Sequence, residues 1–313
     1  MILTFERGKL EPPPAGSVVS IGVFDGVHLG HQAILEANLE EAGRSGAVPT
    51  VITFRRHPKK ILLGHAPRTL TTLEHRLELF QRAGIGHTVA LSFTEELRDL
   101  PAAEFVAELC VRGLGVERFV LGFDNKFGRD REGTPELLGR LGFEVRVVPE
   151  VVVSGRAVSS TAIREAVELG DLEGAARMLG RPVSVLGRVV RGSQLGQELG
   201  FPTANLDLHH ELHPPPGVYA CRARHIGGTD VRRDGVCNIG FRPTVERGRP
   251  DEPVVEVHLF DFTGELYGER IELEFVAHLR QEERFPNLGA LRAQIARDVE
   301  AARKLLAAAA DPG

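Results

Sequence analysis

The sequence predicts an α/β protein of two domains: an N-terminal Rossmann-like domain built on a parallel sheet, and a C-terminal antiparallel β-barrel domain with a terminal helix. Three observations support this fold class. The 313 residues are too many for one typical domain and enough for two. The first half alternates apolar runs with helical periodicity, which favours a parallel sheet. The second half has short strand-like runs between glycine and proline turns, which favour a barrel or sandwich.

The strand-like runs of the first half are apolar, and a helix or loop follows each of them. We predict strands over residues 18–24, 50–54, 87–91, 119–121 and 144–148. We predict helices over residues 30–43, 71–83, 102–112, 134–141, 161–169 and 171–179. Ligands of such sheets bind at the carboxyl ends of the strands.

The pattern changes after Gly180-Arg181-Pro182, so we predict domains over residues 1–181 and 182–313. The second domain has strand-like runs over residues 183–191, 217–224, 235–240, 254–262 and 270–276. A terminal helix over residues 288–309 has apolar residues on one side and should pack on the barrel. These apolar residues are Leu291, Ile295, Val299 and Ala302.

The composition is that of an ordinary soluble protein, with 42% hydrophobic and 26% charged residues. The net charge is −5, whereas proteins that bind nucleic acids through the phosphate backbone usually carry an excess of basic residues. The start of the chain shows no signal-peptide pattern, and the apolar runs are too short to span a membrane. Three widely spaced cysteines favour neither a disulfide framework nor a zinc site. We therefore expect a cytoplasmic protein without nucleic-acid or membrane partners.

The most informative motif is G-V-F-D-G-V-H-L-G-H over residues 22–31, directly after the first predicted strand. Unpaired N–H groups and the positive end of the dipole attract anions to the start of a helix. His28 and His31, three residues apart, share one side of that first turn and add two donors. Gly22, Gly26 and Gly30 allow close approach of the backbone to a ligand. The motif therefore indicates a nucleotide phosphate site; a tight turn with two surface histidines is the alternative.

Three further clusters support a nucleotide site in the first half. Residues 53–58 read T-F-R-R-H-P, residues 122–128 read G-F-D-N-K-F-G, and residues 159–164 read S-S-T-A-I-R. The guanidinium groups of arginine bind phosphates well, but a solvated basic loop explains Arg55 and Arg56 equally well. An ordinary helix N-cap is the alternative for the three hydroxyls.

In their order and spacing, these four motifs resemble the N-terminal nucleotidyltransferase half of prokaryotic bifunctional riboflavin kinase/FAD synthetases. The resemblance implies that this half binds ATP and that the phosphate of FMN attacks its α-phosphorus, giving FAD and pyrophosphate. It implies His28 and His31 as catalytic residues. The implied binding residues are Gly22, Phe24, Asp25, Gly26, Gly30, His57, Asp124, Asn125, Ser160, Thr161 and Arg164. The family usually has Phe at position 125, so Asn125 either touches the nucleotide or faces water.

A second motif follows the start of the barrel region, where residues 187–206 read G-R-V-V-R-G-S-Q-L-G-Q-E-L-G-F-P-T-A-N-L. In an extended chain the side chains of Thr203 and Asn205 point the same way. Two oxygen donors placed like this suit a Mg²⁺ ion that carries ATP phosphates. By spacing alone, an Asx-type turn is the better explanation.

Further along, polar Glu256 and His258 alternate with apolar residues, so one face of a strand carries a carboxylate beside an imidazole. A half-solvated sheet face is the ordinary explanation of such a pattern. Together with residues 217–220, 238–244, 266–268 and 279–285, these motifs resemble the riboflavin kinase module of the same family.

This second resemblance implies Glu256 as the base on the ribityl 5′-hydroxyl, and Thr203 and Asn205 as ligands of Mg²⁺. The implied binding residues for ATP and flavin are Gly187, Gly192, Gly200, Arg280, Glu283 and Phe285. The family usually has Arg at the position of Gln197. Either ATP binding is weaker here, or another arginine such as Arg191 takes its place.

The sequence therefore predicts a bifunctional enzyme that converts riboflavin and ATP to FMN, and then FMN and ATP to FAD. The expected cofactor is Mg²⁺, and the expected partners are the small molecules riboflavin, FMN and ATP. We expect a monomer or weak homo-oligomer. Two alternatives are a chain with one live activity and a regulatory protein that binds ATP or flavin.

Overall fold

The computed structural model describes residues 1–309 except 59, 60, 62, 63, 65, 66, 193, 227, 229, 230 and 242–252. Residues 242–244 of the second resemblance therefore lie outside the described residues. The chain divides into two compact units, Met1–Ser160 and Thr161–Gly313. Among the described residues, we find no helix that combines the length and the apolar character needed to cross a bilayer.

The first unit is built on a six-stranded sheet in which every pairing is parallel, as the sequence predicts. The order of its strands is β1-β4-β3-β2-β5-β6. They are β1 (Ile2–Thr4), β2 (Ser17–Ile21), β3 (Val48–Phe54), β4 (His87–Leu91), β5 (Val116–Gly122) and β6 (Glu144–Val148). The chain runs from β2 to β3 and β4 on one side and then crosses to β5 on the other, so the strand order reverses between β2 and β5; ligands of such sheets bind at the carboxyl ends of the strands at this point.

Helices cover both faces of this sheet. They are α1 (Leu29–Ser45), α2 (Leu73–Ala83), α3 (Glu95–Arg98), α4 (Ala102–Phe105) and α5 (Pro135–Arg140), with short 3₁₀ turns at Arg7–Lys9 and Arg129–Arg131. Neighbouring β2 residues show the two faces, because Val18 packs with Ala37 whereas Val19 packs with Phe105. A two-stranded hairpin of β7 (Val152–Val153) and β8 (Arg156–Ala157) follows.

Two of the differences between the predicted and the observed elements of this unit concern the backbone conformation. The strand predicted over residues 18–24 is β2, which ends at Ile21; Phe24 has a positive φ angle of 54°, which a strand does not accommodate. The helix predicted over residues 102–112 is α-helical only to Phe105 and continues as a π-helix over Val106–Arg112. A change of helix type leaves little trace in apolar spacing.

A buried ion-pair cluster fixes α1 against the sheet. Glu41 of α1 is 3% exposed and pairs with Arg118 of β5 and Arg146 of β6, as well as with Arg44. Burial alone raises the pKa of Glu41, but the hydrogen bonds from Arg118 and Arg146 outweigh this effect and lower the pKa below 4.5. These contacts orient the helix whose first turn carries the two motif histidines.

The second unit is a closed antiparallel barrel of six strands, preceded by helices α6 (Ser160–Glu168) and α7 (Leu172–Leu179). Its order is β10-β13-β12-β11-β14-β9. The strands are β9 (Val183–Val190), β10 (Ala204–Asp207), β11 (Gly217–Ile226), β12 (Arg232–Phe241), β13 (Pro253–Leu259) and β14 (Arg270–Arg280). Of the alternatives that the sequence left open, the barrel is therefore the architecture formed.

Two helices complete this unit, the short α8 (Leu195–Glu198) and the terminal α9 (Leu288–Ala308). Ala302 and Leu306 of α9 are buried in one cluster with Val218, Val236 and Phe260 of the barrel. The prediction that the terminal helix packs on the barrel is confirmed. One side of the barrel wall consequently lies under a helix, and the polar residues of β13 lie at the edge of this covered region.

Candidate active sites

The loop after β2 has an unusual backbone that brings the motif residues to the sheet edge. Phe24, Gly26 and Val27 all have positive φ angles, at 54°, 83° and 40°. Non-glycine residues hold such angles only where the surroundings enforce them, and such positions cluster at functional sites. At Gly26 a Cβ would lie 2.7 Å from Leu70 Cδ1, so both φ and space require glycine.

Asp25 is part of the framework of this loop. Its carboxylate is 3% exposed and accepts hydrogen bonds from the backbone N–H and the hydroxyl of Thr71, at 3.1 and 3.4 Å. The Gly26 N–H donates in turn to the Thr71 hydroxyl at 2.9 Å. Thr71 was not among the predicted site residues, because its position 46 residues after Asp25 gives no local signal.

The two histidines lie side by side at the start of α1, as the sequence predicts. His28 is the N-cap, and its Nδ1 accepts the His31 N–H at 3.4 Å. The two rings stack at a centroid distance of 3.6 Å and an angle of 17°. The Phe24 ring lies 5.1 Å from the His31 ring. Two imidazoles and the N–H groups of the first turn are thus concentrated at one point.

Two other predicted motifs converge on the same loop. The side-chain amide of Asn125 donates to the Ile21 carbonyl oxygen at 2.5 Å, which joins the loop after β5 to the end of β2. The Ser160 hydroxyl donates to the Asp25 carbonyl oxygen at 2.9 Å. Asn125 therefore does not merely face water, one of the two interpretations left open by the sequence. Asp124, beside it, is exposed.

A buried arginine that the sequence analysis missed links the ends of β2 and β3. Arg76 of α2 is 3% exposed and donates to the Val23 carbonyl oxygen, to the Thr53 hydroxyl at 3.0 Å and to the Phe54 carbonyl oxygen at 2.9 Å. By contrast, Arg55 is exposed and lies over the Phe5 ring. The spacing of Arg76 from the buried Leu79 and Phe80 of its helix is the signal that would have found it.

The remaining predicted residues of the first site occupy a loop and a helix. His57 is half-buried in the loop after β3. Thr161 and Arg164 lie on α6, in the second compact unit. Gly22 and Gly30 lie close to the rings of Phe24 and His28, where a Cβ would come within 3.0 and 3.3 Å. Their roles in binding remain predictions.

In the barrel, strand register places polar residues in one row. Asn205 of β10 lies directly opposite Glu256 of β13, and Glu256 lies directly opposite Asn238 of β12. Residues opposite each other in antiparallel strands share a face and lie close together. Thr203 directly precedes β10, whose first residue Ala204 lies opposite Val257. The predicted base and the predicted metal ligands are therefore neighbours.

A cavity of about 310 Å³ opens over this row, between the barrel wall, α8 and α9. Five predicted site residues line it: Thr203, Glu256, Arg280, Glu283 and Phe285. Asn238, His258 and Glu282 also line it; Glu282 lies within the segment 280–285, to which the resemblance assigns flavin binding, and Asn238 and His258 are not among the predicted site residues. The lining combines apolar side chains with a few polar groups, which is typical of small-molecule sites.

Two glycines leave room for the predicted metal ligands. A Cβ at Gly192 would lie 2.1 to 2.5 Å from the side-chain amide atoms of Asn205, and one at Gly196 would lie 3.0 Å from the Thr203 hydroxyl. Gly187 serves strand packing, because a Cβ there would lie 2.9 Å from Leu206 Cβ. Gly200 has a φ of 85° and forms the turn after α8.

Arg280 joins the barrel to α9. Its guanidinium donates to both carboxylate oxygens of Asp298 at 2.8 to 3.1 Å, and Asp298 is 6% exposed. The same guanidinium lies 3.5 Å from the Glu283 carboxylate and 5.7 Å from the centre of the Phe285 ring. Arg280 thus holds the wall of the cavity in place in addition to lining it.

Gln197, where the family usually has Arg, is exposed on α8. Arg191, the arginine considered as its replacement, has its guanidinium 5.8 Å from the centre of the Tyr267 ring.

Cys237 lines the cavity, and burial raises the pKa of its thiol, with a further contribution from Glu256. The thiol consequently stays protonated at neutral pH and is a poor nucleophile.

Comparison with known proteins gives full-length matches. Residues 10–162 match the sequence family described as FAD synthetase, and residues 179–306 match the family described as riboflavin kinase. A bifunctional riboflavin kinase/FMN adenylyltransferase of Pseudomonas fluorescens is 40% identical over 96% of this chain and 97% of its own length. The protein of the same description from Escherichia coli K12 is 38% identical over 94% of both chains.

A solved structure also matches over nearly the full length. It is a crystal structure of a Streptococcus pneumoniae protein described as a macrolide-efflux protein, with 29% identity and a TM-score of 0.83. The match covers 97% of this chain and 99% of that one. With both sequence families matched and curated relatives aligned over nearly their whole length, the chain belongs to the family of bifunctional riboflavin kinase/FMN adenylyltransferases.

Proposed function

We propose that the two activities of this family divide between the two sites described above. The barrel cavity transfers the γ-phosphoryl group of ATP to riboflavin, and the α/β site transfers AMP from a second ATP to FMN. The observation that carries this proposal is the row in the barrel, where Glu256 lies opposite Asn205 and lines one cavity with Thr203.

For the kinase reaction, Glu256 is the proposed base. Glu256 is half-buried and lines the cavity. It takes the proton of the ribityl 5′-hydroxyl as that oxygen bonds to the γ-phosphorus, while the bond to the β-phosphate oxygen breaks and ADP leaves. Phe285, on the wall of the same cavity, supplies apolar contact area for the flavin ring.

The donors at Thr203 and Asn205 fit a magnesium ion. A hydroxyl and an amide carbonyl are hard oxygen ligands, and the glycines at 192 and 196 leave space that a Cβ would fill. When bound with ATP, Mg²⁺ neutralises phosphate charge. Thr203 and Asn205 would hold the ion together with the ATP phosphates, and because two neutral ligands bind Mg²⁺ weakly, its binding would depend on the nucleotide.

For the adenylyl transfer, no protein nucleophile is required. An oxygen of the FMN phosphate bonds to the α-phosphorus of ATP, the bond to the bridging oxygen breaks, and pyrophosphate leaves. His28, His31 and the N–H groups at the start of α1 stabilise the charge that develops on the α-phosphate. Arg164 is proposed to add a further cation. The buried Asp25 and Arg76 contacts keep the loop in place.

We propose residues 1–181 as the FMN adenylyltransferase domain and residues 182–313 as the riboflavin kinase domain. The matched families end at residue 162 and begin at residue 179, which is compatible with this division. Helix α7 contacts strands β9 and β14 of the barrel. A kinase fragment that begins at residue 161 should therefore be more stable than one that begins at 182, and both should phosphorylate riboflavin.

We further propose Mg²⁺ as the metal, the cytoplasm as the location, and a monomer or weak homo-oligomer without nucleic-acid or membrane partners. The charge of −5 and the cysteine pattern support the location and the partners.

Two substitutions test the assignment of one chemistry to each site. Glu256→Gln should abolish FMN formation from riboflavin, ATP and Mg²⁺, and leave FAD formation from supplied FMN near the wild-type rate. His28→Ala should do the reverse, with a loss of ~10²–10³-fold in the adenylylation rate. Chromatography of the flavins gives both rates from one preparation. If Glu256→Gln stopped both reactions in a folded protein, the division would be wrong.

A further inference from the structure

His258 is one of the polar residues of the barrel cavity that the proposed reactions do not use. His258 lies two residues after Glu256 on the same face of β13 and lines the same cavity. Its Nδ1 lies 2.8 Å from the carbonyl oxygen of Pro202. Pro202 directly precedes Thr203, the proposed metal ligand.

The hydrogen bond fixes the direction of donation. A carbonyl oxygen only accepts, so Nδ1 of His258 must carry the hydrogen. The same ring packs edge-on against Phe201 at 5.6 Å and against Phe260 at 5.9 Å. The ring is thus held on both sides, and its one directed contact goes to the segment 201–203.

This segment has a second anchor at its other end. The Phe201 N–H donates to the Gly196 carbonyl oxygen at 2.7 Å, which ties it to α8. Between Phe201 and the first pairing of β10 at Ala204, the His258 hydrogen bond joins the backbone to β13. Because β13 also carries Glu256, this bond extends the attachment of the segment to the strand of the base beyond the paired residues.

We propose that His258 is a positioning residue of the kinase site: its Nδ1–H holds the Pro202 carbonyl, and thereby keeps the Thr203 hydroxyl in the cavity that Glu256 also lines. The expected change in the KM for MgATP rests on the proposed function. The anchoring itself is a property of the chain that is measured without turnover.

Three variants separate the hydrogen bond from the packing. His258→Leu removes the donor, and His258→Asn keeps an N–H donor at the position of Nδ1. His225→Leu removes a histidine at the far end of β11, where it pairs with Glu269 at 2.8 Å, and is the matched control. We expect His258→Leu to raise the KM for MgATP about tenfold with little change in riboflavin binding, because a lost hydrogen bond of this kind is worth up to that factor.

Two further results are expected. His258→Asn should restore the KM to within about threefold of wild type. Amide hydrogen exchange in the peptide over residues 194–205 should be faster in His258→Leu and near wild type in His258→Asn and His225→Leu. Riboflavin binding is followed by quenching of flavin fluorescence.

Unchanged exchange in His258→Leu would overturn the proposal, as would faster exchange with an unchanged KM for MgATP. Failure of the Asn variant to restore either quantity would assign the effect to ring packing and also overturn it. Failure of the proposed function has a different signature, because Glu256→Gln would then retain FMN formation while the exchange measurement still decides whether His258 anchors the segment.

Discussion

Replacing Gly192 with alanine should disable the kinase site without removing a polar group. The backbone at Gly192 is outside the positive-φ region, so alanine is allowed there. Its Cβ would lie 2.1 Å from Asn205 Nδ2, 2.4 Å from Cγ and 2.5 Å from Oδ1. Carbon contacts require about 3.5 Å, so the whole amide must shift by roughly 1 Å. A misplacement of that size typically costs about 10²-fold in rate.

The assay is FMN formation from riboflavin, ATP and Mg²⁺, with FAD formation from supplied FMN as the internal reference. Gly139→Ala is the matched control, because a Cβ there meets open space. We expect Gly192→Ala to lose about 10²-fold in FMN formation and keep the FAD rate. A wild-type rate of FMN formation in Gly192→Ala would refute the placement of the Asn205 amide and its assignment as a metal ligand.

Three other predictions follow from buried polar contacts. Asp298→Ala removes the partner of Arg280 and should lower the free energy of unfolding, measured with urea, by about 2 kcal/mol. The loss is smaller than for a fully buried ion pair because the Arg280 side chain is partly solvated. Asp261→Ala, which removes an exposed partner of Arg303, should change the same free energy by less than about 1 kcal/mol. Arg76→Met leaves two carbonyl oxygens without this donor and should reduce FAD formation from FMN at least about tenfold, while FMN formation continues. Glu41 has a lowered pKa, so its ionised form stabilises the fold above the ordinary pKa of about 4.5, and this contribution is lost as the pH falls through the lower folded-state value. The melting temperature of Glu41→Gln should thus lie below that of wild type at neutral pH, and the difference should shrink as the pH falls through that value.

Local patterns predicted the fold class because they report burial. Apolar runs predicted the parallel strands, and the alternation of apolar residues with the polar Glu256 and His258 predicted the half-solvated face of β13. The histidine pair was predictable for the same reason, since an N-cap and the residue three positions later always share the first turn. Such features depend on a few neighbouring residues.

Contacts between distant segments were beyond these patterns. Thr71 is 46 residues from Asp25, and Arg76 is 53 residues from Val23, yet both support the histidine loop. The cavity over the barrel row likewise depends on Arg280 meeting Asp298 on another element. Strand register, which places Asn205 opposite Glu256, follows from pairing along the whole barrel.

Asn125 bears on whether the adenylylation site is intact in this chain. Phe at this position, usual in the family, has no side-chain N–H, whereas the Asn125 amide, in the loop after β5, donates to the Ile21 carbonyl oxygen at the end of β2. The substitution therefore adds a polar link between the two loops that border the proposed ATP site. Such a hydrogen bond is not expected in a site that has lost its activity. The contacts of Asp25, Thr71 and Arg76 around the loop after β2 are also formed. These contacts favour two live activities over a chain whose first site has been lost.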